Sequence, residues 1–155
     1  MQFINYFFAS IISFSGLIIG LMLIKIAPEE QKPLEKYLMI ASKALFFLIF
    51  AFLMFFYHNN AFYLLILAAY FIFLLVFEYK INDLLKKSML NYIIFGILFF
   101  LSSKNLNLFA IVSSLILLYG LPTASLLYNK RGKNHYNIVF YNIGFLIIGN
   151  LLFFV

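Results

Sequence analysis

The sequence predicts an all-α integral membrane protein, six transmembrane helices in one bundle, and three observations predict it. The chain is 66% hydrophobic and 10% charged, whereas a soluble domain carries about 25% charged residues. Its apolar residues fall in runs close to the roughly 20 that a helix needs to cross a bilayer. The turns between those runs are short and hold nearly all the charge, which leaves no room for a soluble domain. Residues 1–155 therefore read as one membrane domain, with spans at about 3–26, 38–57, 61–77, 84–103, 108–128 and 136–155.

Span 1 places Ala9, Ser13, Gly16 and Gly20 at i, i+4, i+7 and i+11, on one helix face. Small residues at this spacing let a second backbone come close and gain van der Waals contact. The expected use is a seam inside the bundle, with a homodimer seam or a membrane-protein partner as the alternative. The run is too long for a signal h-region and no base precedes Lys25, so it is not read as a cleavable leader.

The elbow after it, Ile26 to Lys43, holds two of the three prolines and three of the five acids. Pro28 and Pro33 suit first helical positions, where a missing N–H costs nothing. Glu29, Glu30 and Glu35 follow them, as the helix dipole favours. Pro33 is expected to start helix 2. Lys36 and Lys43 are seven apart on nearly one face, Lys43 about 10 Å deeper at 1.5 Å per residue. Both can snorkel their ammonium groups to the headgroups. The alternative is a cation facing an inner cavity, ready for a phosphate or carboxylate.

His58–Asn60 is a tight turn into span 3. Asn82 or Asp83 can cap helix 4, whose Asn91 is expected in an interhelical hydrogen bond. Span 5 carries the sequence YGLPTAS. Pro122 cannot return an N–H to the Leu118 carbonyl, so a kink is expected between Gly120 and Pro122. Thr123 and Ser125 are placed to satisfy the freed group. Span 6 has Asn142 and Gly149 on one face and Asn150 on another, all expected to face protein. Asn91, Ser113 and Asn142 are the candidate lining of a polar cavity beside that kink.

Orientation follows from charge. Lys25, Lys32, Lys36, Lys43, Lys80, Lys86, Lys87, Lys130, Arg131 and Lys133 lie in or beside the odd turns, and Lys104 alone lies in an even one. Short loops rich in Lys and Arg stay cytoplasmic, so both termini are expected outside. Tyr37, Tyr79, Tyr128 and Tyr136 then fall at the inner interface, and Tyr6, Tyr57 and Tyr63 at the outer. The +6 net charge reads as attraction to anionic headgroups of the cell membrane rather than to nucleic acid. Lys36, Lys43, Lys130, Arg131 and Lys133 are its candidate contacts.

Catalytic patterns are missing. There is no HExxH, GxSxG or P-loop glycine pattern. The lack of cysteine excludes disulfides and thiolate sites. His58 and His135 fall on opposite sides of the membrane, and no catalytic residue, metal or cofactor is expected. No carboxylate lies within a span, so a coupled transporter's ion relay has no carrier. The expectation is a non-catalytic membrane component, a subunit or assembly partner. The alternative is a small permease or channel for a neutral or lipid-like substrate, built from two inverted three-helix halves. Its sequence support is the match of NYFF at Asn5 to NYII at Asn91.

Overall fold

The computed structural model describes residues 2–27, 29, 31–81, 83–131 and 135–154, and all regular structure among them is helical. The order is α1 (Phe3–Ile26), α2 (Gln31–Phe56), α3 (Ala61–Lys80), α4 (Leu84–Ser102), α5 (Leu106–Arg131), α6 (His135–Asn142) and α7 (Gly144–Leu152). Phe3–Ile26, Pro33–Phe56, Leu84–Ser102 and Leu106–Asn129 are each long and apolar enough to cross a membrane. Pro28 and Asn82 lie outside the described residues. Helix 2 starts at Gln31, so Pro33 sits inside its first turn, where the missing N–H would have no partner in any case. Helix 4 is capped by Asp83, whose carboxylate accepts from the Leu85 N–H at 3.0 Å.

The helices run up and down, as contacts at their ends show. At one end Tyr57, just past α2, donates to the carbonyl of Leu101 near the end of α4 at 2.7 Å. Beside it Lys104, between α4 and α5, donates to the Tyr63 hydroxyl at 2.9 Å. At the other, basic end, Asn129 of α5 donates to Glu35 of α2 at 3.1 Å.

The surface identifies the surrounding medium. α1 buries one stripe, including Tyr6, Ser13, Phe14, Leu17 and Leu21. Its other faces expose Ile4, Phe8, Ile12 and Met22, each more than half accessible. A helix as apolar outside as inside is at home in lipid and costly in water. This is a membrane-type helical protein.

α5 is the keel of the bundle. It packs along α1, α2 and α4, whereas α1 and α2, though consecutive, hardly touch each other. α4 packs along α5 and α7. α3 is peripheral: it leans on α2 through Phe71, whose ring is 5.4 Å from Phe47 and 5.3 Å from Phe50. Leu67 is its one fully buried side chain among those described. Within an inverted repeat, α1–α3 would pack as α4–α7 does. It does not, since α1 and α3 share almost no contact among the described residues.

The last span is interrupted rather than continuous over 136–155. Helix α6 stops at Asn142 and α7 begins at Gly144. The Ile143 N–H turns back to the Phe140 carbonyl at 3.3 Å, an i−3 bond that tightens the chain locally. Conversely, α5 keeps its helical assignment through Pro122. The sequence reading expects a kink at Pro122, and it does not anticipate the interruption between α6 and α7.

Candidate functional site

The interior is built from aromatic rings with a few polar groups set among them. Phe95 meets Tyr119 edge-on at 4.8 Å, and Tyr92 packs against Phe14, Tyr119 and Phe145. Such pairs contribute about 0.5–1.5 kcal/mol beyond the area they bury. Asn91 donates to the Tyr119 hydroxyl at 2.9 Å, joining α4 to α5. Ser88 donates to the side-chain oxygen of Asn142 at 2.7 Å, and the Asn142 amide donates back to the Ile138 carbonyl at 2.7 Å. Asn142 is wholly buried. Its bond to Ser88 holds the end of α6 against α4 where the helix breaks.

Ser113 stands apart from this group. Its hydroxyl donates to the Phe109 carbonyl of its own helix at 2.6 Å, about 9 Å along α5 from Tyr119 at 1.5 Å per residue. Asn91 and Asn142 each make an interhelical bond, and Ser113 makes none among the described residues. Tyr6, expected at the outer interface, lies in the first turn of α1. It is fully buried and donates to the Gly149 carbonyl at 2.7 Å, which ties the first helix to the last.

The small face of α1 is filled by α5. A Cβ on Gly16 would overlap the Leu117 carbonyl, and one on Gly120 would overlap the backbone of Gly16 and Leu17. A Cβ on Gly20 would come within 2.7 Å of Ala124 Cβ and of the Leu121 carbonyl. Gly16, Gly20 and Gly120 thus mark a close approach of two backbones. Ser13, also buried, donates to the Ala9 carbonyl at 2.8 Å, and Ala9 is half-buried. This face is occupied within the chain, so a second copy has no access to its centre. A matching contact, unread in the sequence, joins α4 to α7, where a Cβ on Gly96 would lie 3.1 Å from the Gly149 nitrogen.

Pro122 is buried and lines an open, apolar cleft of about 720 Å³ between α1, α2 and α5. The cleft exists because α5 separates α1 from α2. Gly20 and Ala27 of α1 and Ala41 and Ala44 of α2 give it depth, and Leu118 and Ser125 lie beside the proline. Neither hydroxyl expected to meet the Leu118 carbonyl is engaged. Thr123 is buried without a hydrogen-bond partner, and Ser125 makes none either. Tyr92 is a second buried hydroxyl without one.

Of the cationic candidates, Lys36 and Lys43 are exposed on α2, on the face turned away from the cleft. Lys130 and Arg131 close α5, with their side chains outside the description, and Lys133 lies outside the described residues. At the opposite end the bond to Tyr63 raises the Lys104 ammonium above the usual lysine range. Burial pushes the Tyr57 hydroxyl up, opposed by the charge of Lys104. Among the described residues no three His, Asp or Glu side chains converge as metal ligands would. No protein-family model, no curated protein and no solved structure matches this chain.

Proposed function

We propose that the protein is a six-crossing, non-catalytic component of the cell membrane, with both termini outside and its basic turns in the cytoplasm. Supporting the crossings, α3 spans 20 residues, and the interrupted α6–α7 covers a comparable length beside α4. Among the described side chains, Lys25, Lys36, Lys43, Lys80, Lys86 and Lys87 belong with Glu29, Glu35 and Asp83 to one end of the bundle, in keeping with the positive-inside pattern.

One observation carries the non-catalytic reading: three polar pairs of the interior serve helix–helix contacts. Ser88–Asn142, Asn91–Tyr119 and Ser10–Asn150 each bridge two helices, and rings fill the space between them. What remains open to partners is the outer surface, above all α3, with Phe62, Leu65 and Ile72 more than half exposed. Such a component works through the membrane proteins it packs against. The test is cross-linking in native membranes from benzoylphenylalanine placed at Leu65 or Ile72, followed by purification of the tagged chain. A discrete adduct with another membrane protein supports the reading, and adducts with lipid alone oppose it.

A second reading, a small permease for a neutral substrate, is favoured by the helix break beside buried Asn142, since broken helices form binding sites in many transporters. Reconstituted vesicles that swell in small polyols only when the protein is present would support it. An Asn142→Leu variant should abolish that swelling.

A further inference from the structure

We propose that the cleft between α1, α2 and α5 is a binding site for one anionic phospholipid. An acyl chain lies in the cleft, the Ser125 hydroxyl donates to an ester carbonyl, and the headgroup rests at the basic end. The inference rests on the protein being embedded in a membrane. It does not depend on which side is cytoplasmic, nor on the non-catalytic reading.

Three independent features carry it. The first is shape and lining. About 720 Å³ falls within the roughly 300–1,000 Å³ typical of ligand sites, and the walls are apolar. The rim residues Leu23, Ile26 and Leu48 are exposed, so the opening faces the bilayer core and an acyl chain can enter sideways.

The second is Ser125, the only polar side chain among the lining residues. It is 9% exposed and makes no hydrogen bond. Every other serine in the chain donates one, to its own helix in most cases and to Asn142 from Ser88. Serines inside helices ordinarily bond back to the i−3 or i−4 carbonyl, and an unpaired hydroxyl in apolar surroundings costs free energy. A hydroxyl left unbonded and turned into an apolar cleft suits an acceptor that arrives with the ligand.

The third is depth and charge. Ser125 lies about 9 Å from the end of α5 at 1.5 Å per residue. An ester one glycerol unit below a phosphate at the basic end reaches that level. Among the described side chains this end carries Lys25, Lys36, Lys43, Lys80, Lys86 and Lys87 against Glu29, Glu35 and Asp83, and Glu35 is engaged by Asn129. The field there favours an anionic over a zwitterionic headgroup.

Native mass spectrometry of the full chain in detergent, with dioleoylphosphatidylglycerol or dioleoylphosphatidylcholine added, tests this. One phosphatidylglycerol should be retained per chain, and more strongly than phosphatidylcholine. Ala41→Phe or Leu48→Trp, which fill the cleft from its exposed rim, should abolish retention. Ser125→Ala should weaken it about two- to tenfold, the worth of one hydrogen bond. Ile72→Phe, equally exposed but on α3, should change nothing. Thermal melts of each variant establish that it is folded, and either rim variant alone suffices. Equal retention by folded wild-type and rim variants means only a surrounding lipid shell and overturns the proposal, as does equal retention of the two lipids. A dimer that Ala41→Phe dissociates also overturns it, assigning the cleft to a helix of a second copy. Loss of every partner adduct at α3, with retention intact, sinks the interaction role and leaves this site standing.

Discussion

The Ser88 hydroxyl of α4 lies 2.7 Å from the side-chain oxygen of Asn142, the last residue of α6. Both side chains are buried, and the bond joins two crossings at the point where the final one is interrupted. A helix break inside a bilayer frees backbone groups that lipid cannot satisfy. The Asn142 amide donates to the Ile138 carbonyl of its own helix, and its side-chain oxygen is held by Ser88. The pair fixes the break in place.

Ser88→Ala should therefore destabilise the protein by about 1 kcal/mol in detergent unfolding, the ordinary worth of such a bond. Asn142→Ala should cost more, because it also leaves a cavity and removes the side-chain bond to the Ile138 carbonyl. The double variant should fall short of the sum by about 0.5–1.5 kcal/mol. Strict additivity would mean that the two side chains do not interact.

The glycines give a contrast within one chemical change. Gly16→Ala puts a methyl group into the Leu117 carbonyl, where only backbone movement can relieve it. It should cost about 1–3 kcal/mol or more. Gly149→Ala meets nothing nearer than 3.6 Å and gains helix propensity, so it should be neutral or stabilising. Equal effects of the two would undo the assignment of the α1–α5 seam.

Pro122→Ala restores an N–H for the Leu118 carbonyl in a helix that is already continuous. The melting temperature should rise, by an amount corresponding to about 1 kcal/mol or more given the cost of an interior proline. A loss of stability would show that the ring's packing in the cleft outweighs the missing bond.

How much of this was legible in the sequence depended on whether the signal was local. Run lengths and the position of Asp83 are local, and they placed five of the seven helices to within a few residues of the observed bounds. The face shared by Gly16 and Gly20 is local too, since helical period fixes it. Which helix meets that face is not. Gly120 was read with Pro122 as part of a kink, and its contact with Gly16, more than a hundred residues earlier, has no local signature. Tyr6 was read as an interface anchor from its place near the start of span 1. Its partner is the Gly149 carbonyl at the far end of the chain. The break after Asn142 had a weak signature, an Asn and a Gly two apart without proline. The cleft had none, because it arises from α5 lying between α1 and α2.

The central claim, a six-crossing bundle with its basic end in the cytoplasm, is tested most directly by single-cysteine labelling in intact cells. The chain contains no cysteine, so each introduced thiol reports alone. With a membrane-impermeant maleimide, cysteines replacing Asn59 and Asn105 should label, and those replacing Gln31, Asn82 and Gly132 should label only after the cells are opened. Labelling at Gln31, Asn82 and Gly132 with protection at Asn59 and Asn105 would contradict the orientation, and both classes labelling alike would contradict the crossings themselves.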